Sequence, residues 1–182
     1  MGLALEEIVA AAEVLFAGRP DLIDSVRRAA AGLPGEDLEI PTSEWEELAR
    51  YELNHWLSEP VPIDDGPALM AVLGARSDAE EFRYQLQAVS SHPESLGWEW
   101  FPGFVARLRE VGWSTGEIAE KLVDEIGDRG LQAGAALVQV TEFESADAAD
   151  SYELCFIDAG AVDRLDAIST AVGCHLVLRR TR

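Results

Sequence analysis

The sequence predicts an α+β protein in which a helical N-terminal two-thirds packs on a small C-terminal β-β-α-β sheet. Apolar residues recur at helical spacing up to residue 130, whereas runs of β-branched and apolar residues begin after residue 131. One further helical pattern lies between the last two of these runs. Such segregation of helices and strands along the chain is typical of the α+β class. Because 182 residues can bury one core, we expect a single domain, 1–182, with a helical region over residues 1–130 and a sheet-forming region over residues 131–182.

The sheet-forming region contains three predicted strands. Residues 135–143 and 150–157 are the first two, and the small polar residues between them are typical of a hairpin connection. A helix follows, with Val162, Leu165, Ile168 and Val172 on its inward face. Gly173 ends that helix, and residues 174–178 form the third strand. Since β-α-β crossovers are right-handed, the strands before and after this helix should be parallel if they share one sheet.

The helical region contains seven predicted helices, each with one apolar face. Their inward stripes begin at Leu5, Leu22, Trp45, Leu69, Phe82, Phe104 and Ile118. Three helix starts carry a capping box, in which a serine hydroxyl and a glutamate satisfy free amides of the first turn: Ser43–Glu46, Ser77–Glu80 and Ser114–Glu117. We expect the helices to cover one face of a three-stranded sheet.

Residues 58–67 contain three prolines and a glycine, so this segment breaks the third helix. Asp65 or Gly66 would cap a short fourth helix with Pro67 at its first position. The inward residues of that helix are Leu69, Met70, Val72 and Leu73. A short strand within residues 38–40 or 61–63 would extend the sheet.

The chain is strongly acidic, with 34 acidic and 14 basic residues, a net charge of -20 and a pI near 4.3. A phosphate backbone needs a basic face to replace its counterions, so we expect neither nucleic acid nor an anionic membrane as a partner. A basic protein would be attracted and its association accelerated. Solubility, or a compositional bias of the source, also accounts for such acidity.

The sequence carries no recognised motif for a metal, a phosphate-binding loop or a catalytic nucleophile, so we predict no catalytic residue, metal or cofactor. An enzyme is therefore the less favoured class. Acidic residues occupy the N-terminus where a signal peptide would carry basic ones, and no apolar run could span a bilayer, so we expect a cytoplasmic location. Cys155 and Cys174 fall in predicted strands and are expected to stay reduced.

One segment has the composition of a partner-binding surface. Trp98, Glu99, Trp100 and Phe101 follow one another in a stretch without regular periodicity. Large aromatic side chains in such a segment either anchor it to the core or form a contact patch, since tryptophan is enriched among binding hot spots. In the second case, the acids of the 58–67 segment, Asp64 and Asp65, would join the patch and favour a basic partner.

An alternative site lies at the sheet. Asp150, Tyr152 and His175 fall on the second and third predicted strands, with His175 alternating outward from its neighbours. If these strands place them near one cleft, they predict a small enzyme or ligand-binding domain with convergent polar groups.

Two stretches, Val111-Gly-Trp-Ser-Thr-Gly-Glu-Ile-Ala-Glu-Lys-Leu122 and Ala149-Asp-Ser-Tyr-Glu-Leu-Cys-Phe-Ile157, resemble an uncharacterised bacterial domain family. That family has a tryptophan-led helix start and an Asp-Ser-Tyr strand near its C-terminus, and the resemblance implies no activity. In size and charge the chain is also similar to many bacterial immunity proteins, which neutralise a toxin domain. Together these features predict a non-enzymatic acidic protein-binding domain, an immunity-type inhibitor of a basic toxin or of another basic protein.

Overall fold

The computed structural model describes residues 3–33, 41–58, 67–142 and 151–181. Within these ranges, the helices are α1 (Leu3–Leu15), α2 (Pro20–Ala30), α3 (Trp45–Ser58), α4 (Ala79–Gln87), α5 (Phe101–Val111), α6 (Thr115–Gln132) and α7 (Leu165–Val172). The strands are β1 (Ala71–Gly74), β2 (Ala135–Glu142), β3 (Ser151–Asp158) and β4 (Cys174–Leu178). The α+β class is confirmed, with helices mostly N-terminal and the sheet mostly C-terminal.

The sheet has the strand order β1-β3-β2-β4, and every pair of neighbours is antiparallel. β2 lies between β3 and β4, with Val138 opposite both Cys155 and Leu178. Since β3 and β4 are each antiparallel to β2, they are parallel to each other, as the crossover rule predicts. The three strands predicted near the C-terminus are also confirmed, with bounds that agree to within one residue at each end.

The predicted short fourth helix is wrong, because Ala71–Gly74 form an edge strand with Ala71 opposite Leu154. Ala71 and Leu73 are buried and Val72 is exposed, which is the period-two pattern of a strand. A stretch this short lacks the length at which the two periods can be told apart from sequence. The predicted strands within 38–40 and 61–63, and the predicted caps Asp65 and Gly66, lie outside the described residues.

The capping boxes have different outcomes. Ser114 caps α6 as predicted, with Glu117 reaching back to the Ser114 amide at 2.9 Å. At α4 the cap is Asp78 rather than Ser77, since the Asp78 carboxylate accepts a hydrogen bond from the amide of Glu81 at 3.0 Å. The N-cap is the residue immediately before the first helical residue, and this helix begins at Ala79. The predicted start at Ser43 is also shifted, because a 3₁₀ turn over Thr42–Glu44 precedes α3.

Helices cover both faces of the sheet rather than one. Residues 135–140 of β2 are all buried, although alternate side chains point to opposite faces. α4 and α6 lie on one face, where Phe82 contacts Tyr152 and Gly130 lies against Phe156. α1 and α7 pack on each other and against β3 and β4 on the other face. Gly130 lies within α6, which continues to Gln132. Without a Cβ it lets α6 approach the sheet.

Among the described residues, no helix has the length and apolar character needed to cross a membrane.

Candidate functional site

The aromatic segment predicted as a partner surface is largely buried in the core. Phe101 is fully buried and Trp98 is only 9% exposed, whereas Trp100 is half-buried and Glu99 is exposed. Trp98 stacks on His92 with ring centroids 6.0 Å apart, and its indole N–H donates to His92 Nε2 at 3.3 Å. The accessible surface of this segment therefore consists of Glu99 and a portion of Trp100. A role in partner binding stays a prediction, and Asp64 and Asp65 lie outside the described residues.

The guanidinium of Arg129 lies over the ring of Trp100. The Arg129 guanidinium lies 4.1 Å from the ring centroid, and Arg129 Nε donates to Glu125 Oε1 at 2.7 Å. The Trp100 indole N–H donates to the Gly97 carbonyl at 2.8 Å. A tryptophan whose face and N–H group are both used within the fold has little left to offer a partner.

The alternative site residues at the sheet are not brought into contact by the strand order. Tyr152 lies on β3 opposite Leu73, and His175 lies on β4 opposite Thr141. β2 runs between β3 and β4, so the two backbones are separated by two strand spacings, about 10 Å. Asp150 lies outside the described residues.

Tyr152 belongs instead to a polar cluster that the sequence pattern did not reveal. Arg179, just beyond β4, places Nη2 at 2.8 Å from Asp124 Oδ1 and donates from Nη1 to Gln139 Oε1 at 3.2 Å. Its guanidinium carbon lies 5.9 Å from the Tyr152 ring centroid. We call Arg179, Asp124, Gln139 and Tyr152 the Arg179 cluster. It joins α6 to three strands at one face of the sheet.

Burial dominates the electrostatics of the Arg179 cluster. Burial raises the pKa of Asp124 above its ordinary value, although the charge and hydrogen bond of Arg179 act in the opposite direction. Burial likewise raises the pKa of Tyr152. The Nε of Arg179 is buried and has no hydrogen-bond partner within the described ranges of the chain. The ion pair and hydrogen bonds of the cluster thus compensate only part of the cost of burying these polar groups. Such partial compensation is found at functional sites and in structural ion pairs alike.

The backbone explains how Arg179 reaches α6. A Cβ added at Gly127 would overlap the carbonyl of Arg179, so only glycine lets the chain cross the helix there. Thr181 then bonds to Asp128, one turn of α6 beyond the Asp124 that Arg179 contacts. No sequence spacing relates these residues, since they lie about fifty positions apart and meet only through the sheet order.

A small cavity of about 130 Å³ lies between α4, α5 and α6, on the same face of the sheet as the Arg179 cluster. Phe82, Ala119 and Leu122 are buried and form its apolar floor, whereas Asp78 and Arg109 are exposed at its mouth. The Phe82 ring that lines the cavity also packs edge-on against Tyr152, with centroids 5.8 Å apart.

The cysteines are both free, with Cys155 buried and Cys174 half-buried. Burial raises the pKa of Cys155 to about 12, so this thiol is not an activated nucleophile. Within the described ranges, no group of three or more histidine, cysteine, aspartate or glutamate side chains is arranged to hold a metal ion.

No family model matches the chain, and no match is found among curated proteins or solved structures. The fold defines the class of this protein as a helix-rich α+β domain. The resemblance of residues 111–122 and 149–157 to a bacterial domain family stays a prediction.

Proposed function

We propose that this protein is a non-enzymatic acidic protein-binding domain, an immunity-type inhibitor of a basic toxin or of another basic protein. A bacterial origin and a cytoplasmic location belong to the same proposal. The observation that carries it is the outward face of α6. This face bears the carboxylates of Glu117, Glu120, Asp124, Glu125 and Asp128, whereas the whole helix has two cations, Lys121 and Arg129, of which Arg129 pairs with Glu125.

The acidic face of α6 is continuous. Its residues follow helical spacing from Glu117 to Asp128, a length of about 16 Å at the rise of an α-helix. The opposite side of the same helix buries Leu122, Val123 and Ile126 in the core, which fixes the orientation of the carboxylates. A fixed row of like charges attracts a partner of opposite charge and accelerates its association.

The carboxylates of this face differ in how much they are used by the fold. Glu117 caps the helix, Asp124 pairs with Arg179, and Glu125 pairs with Arg129. Glu120 is exposed and makes no ion pair with any described residue. The charge of Glu120 can therefore be reversed without removing an ion pair within the fold.

Affinity capture followed by reconstitution tests this proposal. The immobilised protein is exposed to lysate of its source at low salt, and bound proteins are eluted by raising the salt concentration. The proposal predicts one basic protein that re-forms a stoichiometric complex with the purified domain and whose affinity falls as salt rises. If no eluted protein re-forms such a complex, or if the complex is insensitive to salt, the proposal is wrong.

A second candidate is a small enzyme or ligand-binding domain with its cleft at the sheet. It is favoured by the Arg179 cluster, where burial raises the pKa values of both Asp124 and Tyr152. In that case Tyr152 faces the ligand, with Asp124 and Gln139 as neighbouring polar groups. Binding that is lost in Tyr152→Phe while the protein stays folded would distinguish it from the first candidate.

A further inference from the structure

The cavity between α4, α5 and α6 is separate from the acidic face of α6. α6 directs Ala119 and Leu122 towards the cavity, and both lie on the buried side of the helix, whereas Ile118 lines the cavity nearer to the acidic face. The cavity volume of about 130 Å³ is close to that of an apolar cavity of ~150 Å³ that binds benzene. There is thus room for a small aliphatic group.

The mouth of this cavity carries one acidic and one basic side chain that do not pair with each other. Asp78 and Arg109 both line it, and they form no ion pair with each other or with any other residue in the described ranges. Asp78 uses Oδ1 to cap α4, and its Oδ2 accepts no hydrogen bond from a described residue. One cationic donor and one anionic acceptor therefore stand above an apolar floor.

We propose that the cavity binds a free α-amino acid with an aliphatic side chain of about the size of leucine. The side chain occupies the apolar floor, the carboxylate pairs with Arg109, and the ammonium group pairs with Asp78. A simple carboxylate would leave its charge beside Asp78, and a simple amine would leave its charge beside Arg109. Only the zwitterion satisfies both groups through charge-assisted hydrogen bonds.

The start of α6 supports this orientation. α6 begins at Thr115, which lines the cavity, and the amide end of a helix favours a nearby anion such as the carboxylate of the ligand. The aliphatic group contributes most of the selectivity for size, since each additional buried methylene strengthens binding by about fourfold. Alanine and glycine are therefore expected to bind more weakly than leucine.

An NMR titration of the full chain with leucine tests the proposal. We expect saturable shifts confined to the amides near residues 77–82, 109 and 115–122. Two analogues serve as matched ligands: 4-methylpentanoate lacks only the ammonium group, and 3-methylbutylamine lacks only the carboxylate. Each should bind at least about tenfold more weakly than leucine, because a charged group would lose its partner. Equal affinity for either analogue overturns the amino-acid assignment.

Four variants separate the roles of the residues. Arg109→Gln and Asp78→Asn should each weaken leucine binding about tenfold, and asparagine keeps the helix cap. Arg107→Gln, a matched loss of charge on α5 away from the cavity, should leave binding unchanged. Ala119→Leu should fill the cavity and abolish binding. No shift with wild-type protein at up to about 10 mM leucine, or equal weakening by Arg107→Gln, would overturn the proposal even if the Ala119 variant failed to fold.

Discussion

The Arg179 guanidinium lies 2.8 Å from the carboxylate of Asp124, and this contact joins the end of the sheet to the middle of α6. Both side chains are about one-fifth exposed. Arg179 also contacts Gln139 and Tyr152, and Asp124 belongs to the acidic face proposed for partner binding.

The two partners of this pair should contribute unequally to stability. Arg179→Gln leaves a half-buried carboxylate without its cation, so we expect it to lower the free energy of unfolding by about 1–3 kcal/mol. Asp124→Asn removes the group whose ionised form is penalised by burial, and it should cost less than about 1 kcal/mol. Urea unfolding of both single variants and the double variant measures the difference. Equal costs for the two single variants would contradict this account.

The pH dependence of Asp124 has a defined sign. Because burial raises the pKa of Asp124 in the folded state, the folded protein binds this proton more tightly than the unfolded chain does. The stability contributed by its protonated form is present at acid pH and is lost as pH rises from the ordinary aspartate pKa of 3.8 through the folded pKa. Wild type should therefore lose stability relative to Asp124→Asn over this window, as measured by urea unfolding at several pH values.

His92 should show the opposite behaviour. Burial lowers its pKa below 6.5, and the neutral ring accepts the indole N–H of Trp98. The folded state thus disfavours the protonated form, and stability is lost as pH falls from 6.5 through the folded pKa. An NMR titration of the imidazole should give a pKa below 6.5, and His92→Gln should remove this component of the pH dependence. An imidazole pKa of 6.5 or above would show that burial does not control this side chain.

Two glycines of α6 provide a matched pair. Gly127→Ala would force its Cβ into the carbonyl of Arg179, so we expect a loss of more than about 2 kcal/mol. Gly116→Ala places its Cβ 3.9 Å from the nearest atom, the Ala75 carbonyl, and should be neutral or stabilising by up to about 1 kcal/mol. Thermal unfolding of the two variants compares them directly. Similar effects at both positions would show that helix propensity, rather than the crossing of the chain, controls position 127.

The fold class and the three C-terminal strands were predictable because their residues carry strong local patterns. Ser114 stands before a long amphipathic helix, and its capping box is local in sequence. The strand at Ala71–Gly74 was not predictable, since four residues cannot separate strand from helix periodicity and its pairing with β3 is long-range.

The candidate sites were less predictable for the same reason. Trp98 has the composition of a hot spot, but its ring stacks on His92, and His92 in turn packs edge-on against Phe156 of β3, a contact between positions far apart in the chain. Arg179 and Asp124 meet only because β4 lies at the sheet edge beside α6. Arg109 and Asp78 meet at the cavity through helix packing, which no spacing along the chain encodes.

The affinity of charge variants for the captured basic protein tests the central claim most directly. Glu120→Lys reverses one charge on the acidic face of α6, and Glu6→Lys makes the same change in net charge on α1. Calorimetric titration at several salt concentrations should show weaker binding and a smaller salt dependence for Glu120→Lys, while Glu6→Lys should match wild type. Equal affinities for the two variants would contradict the assignment of the α6 face as the binding surface.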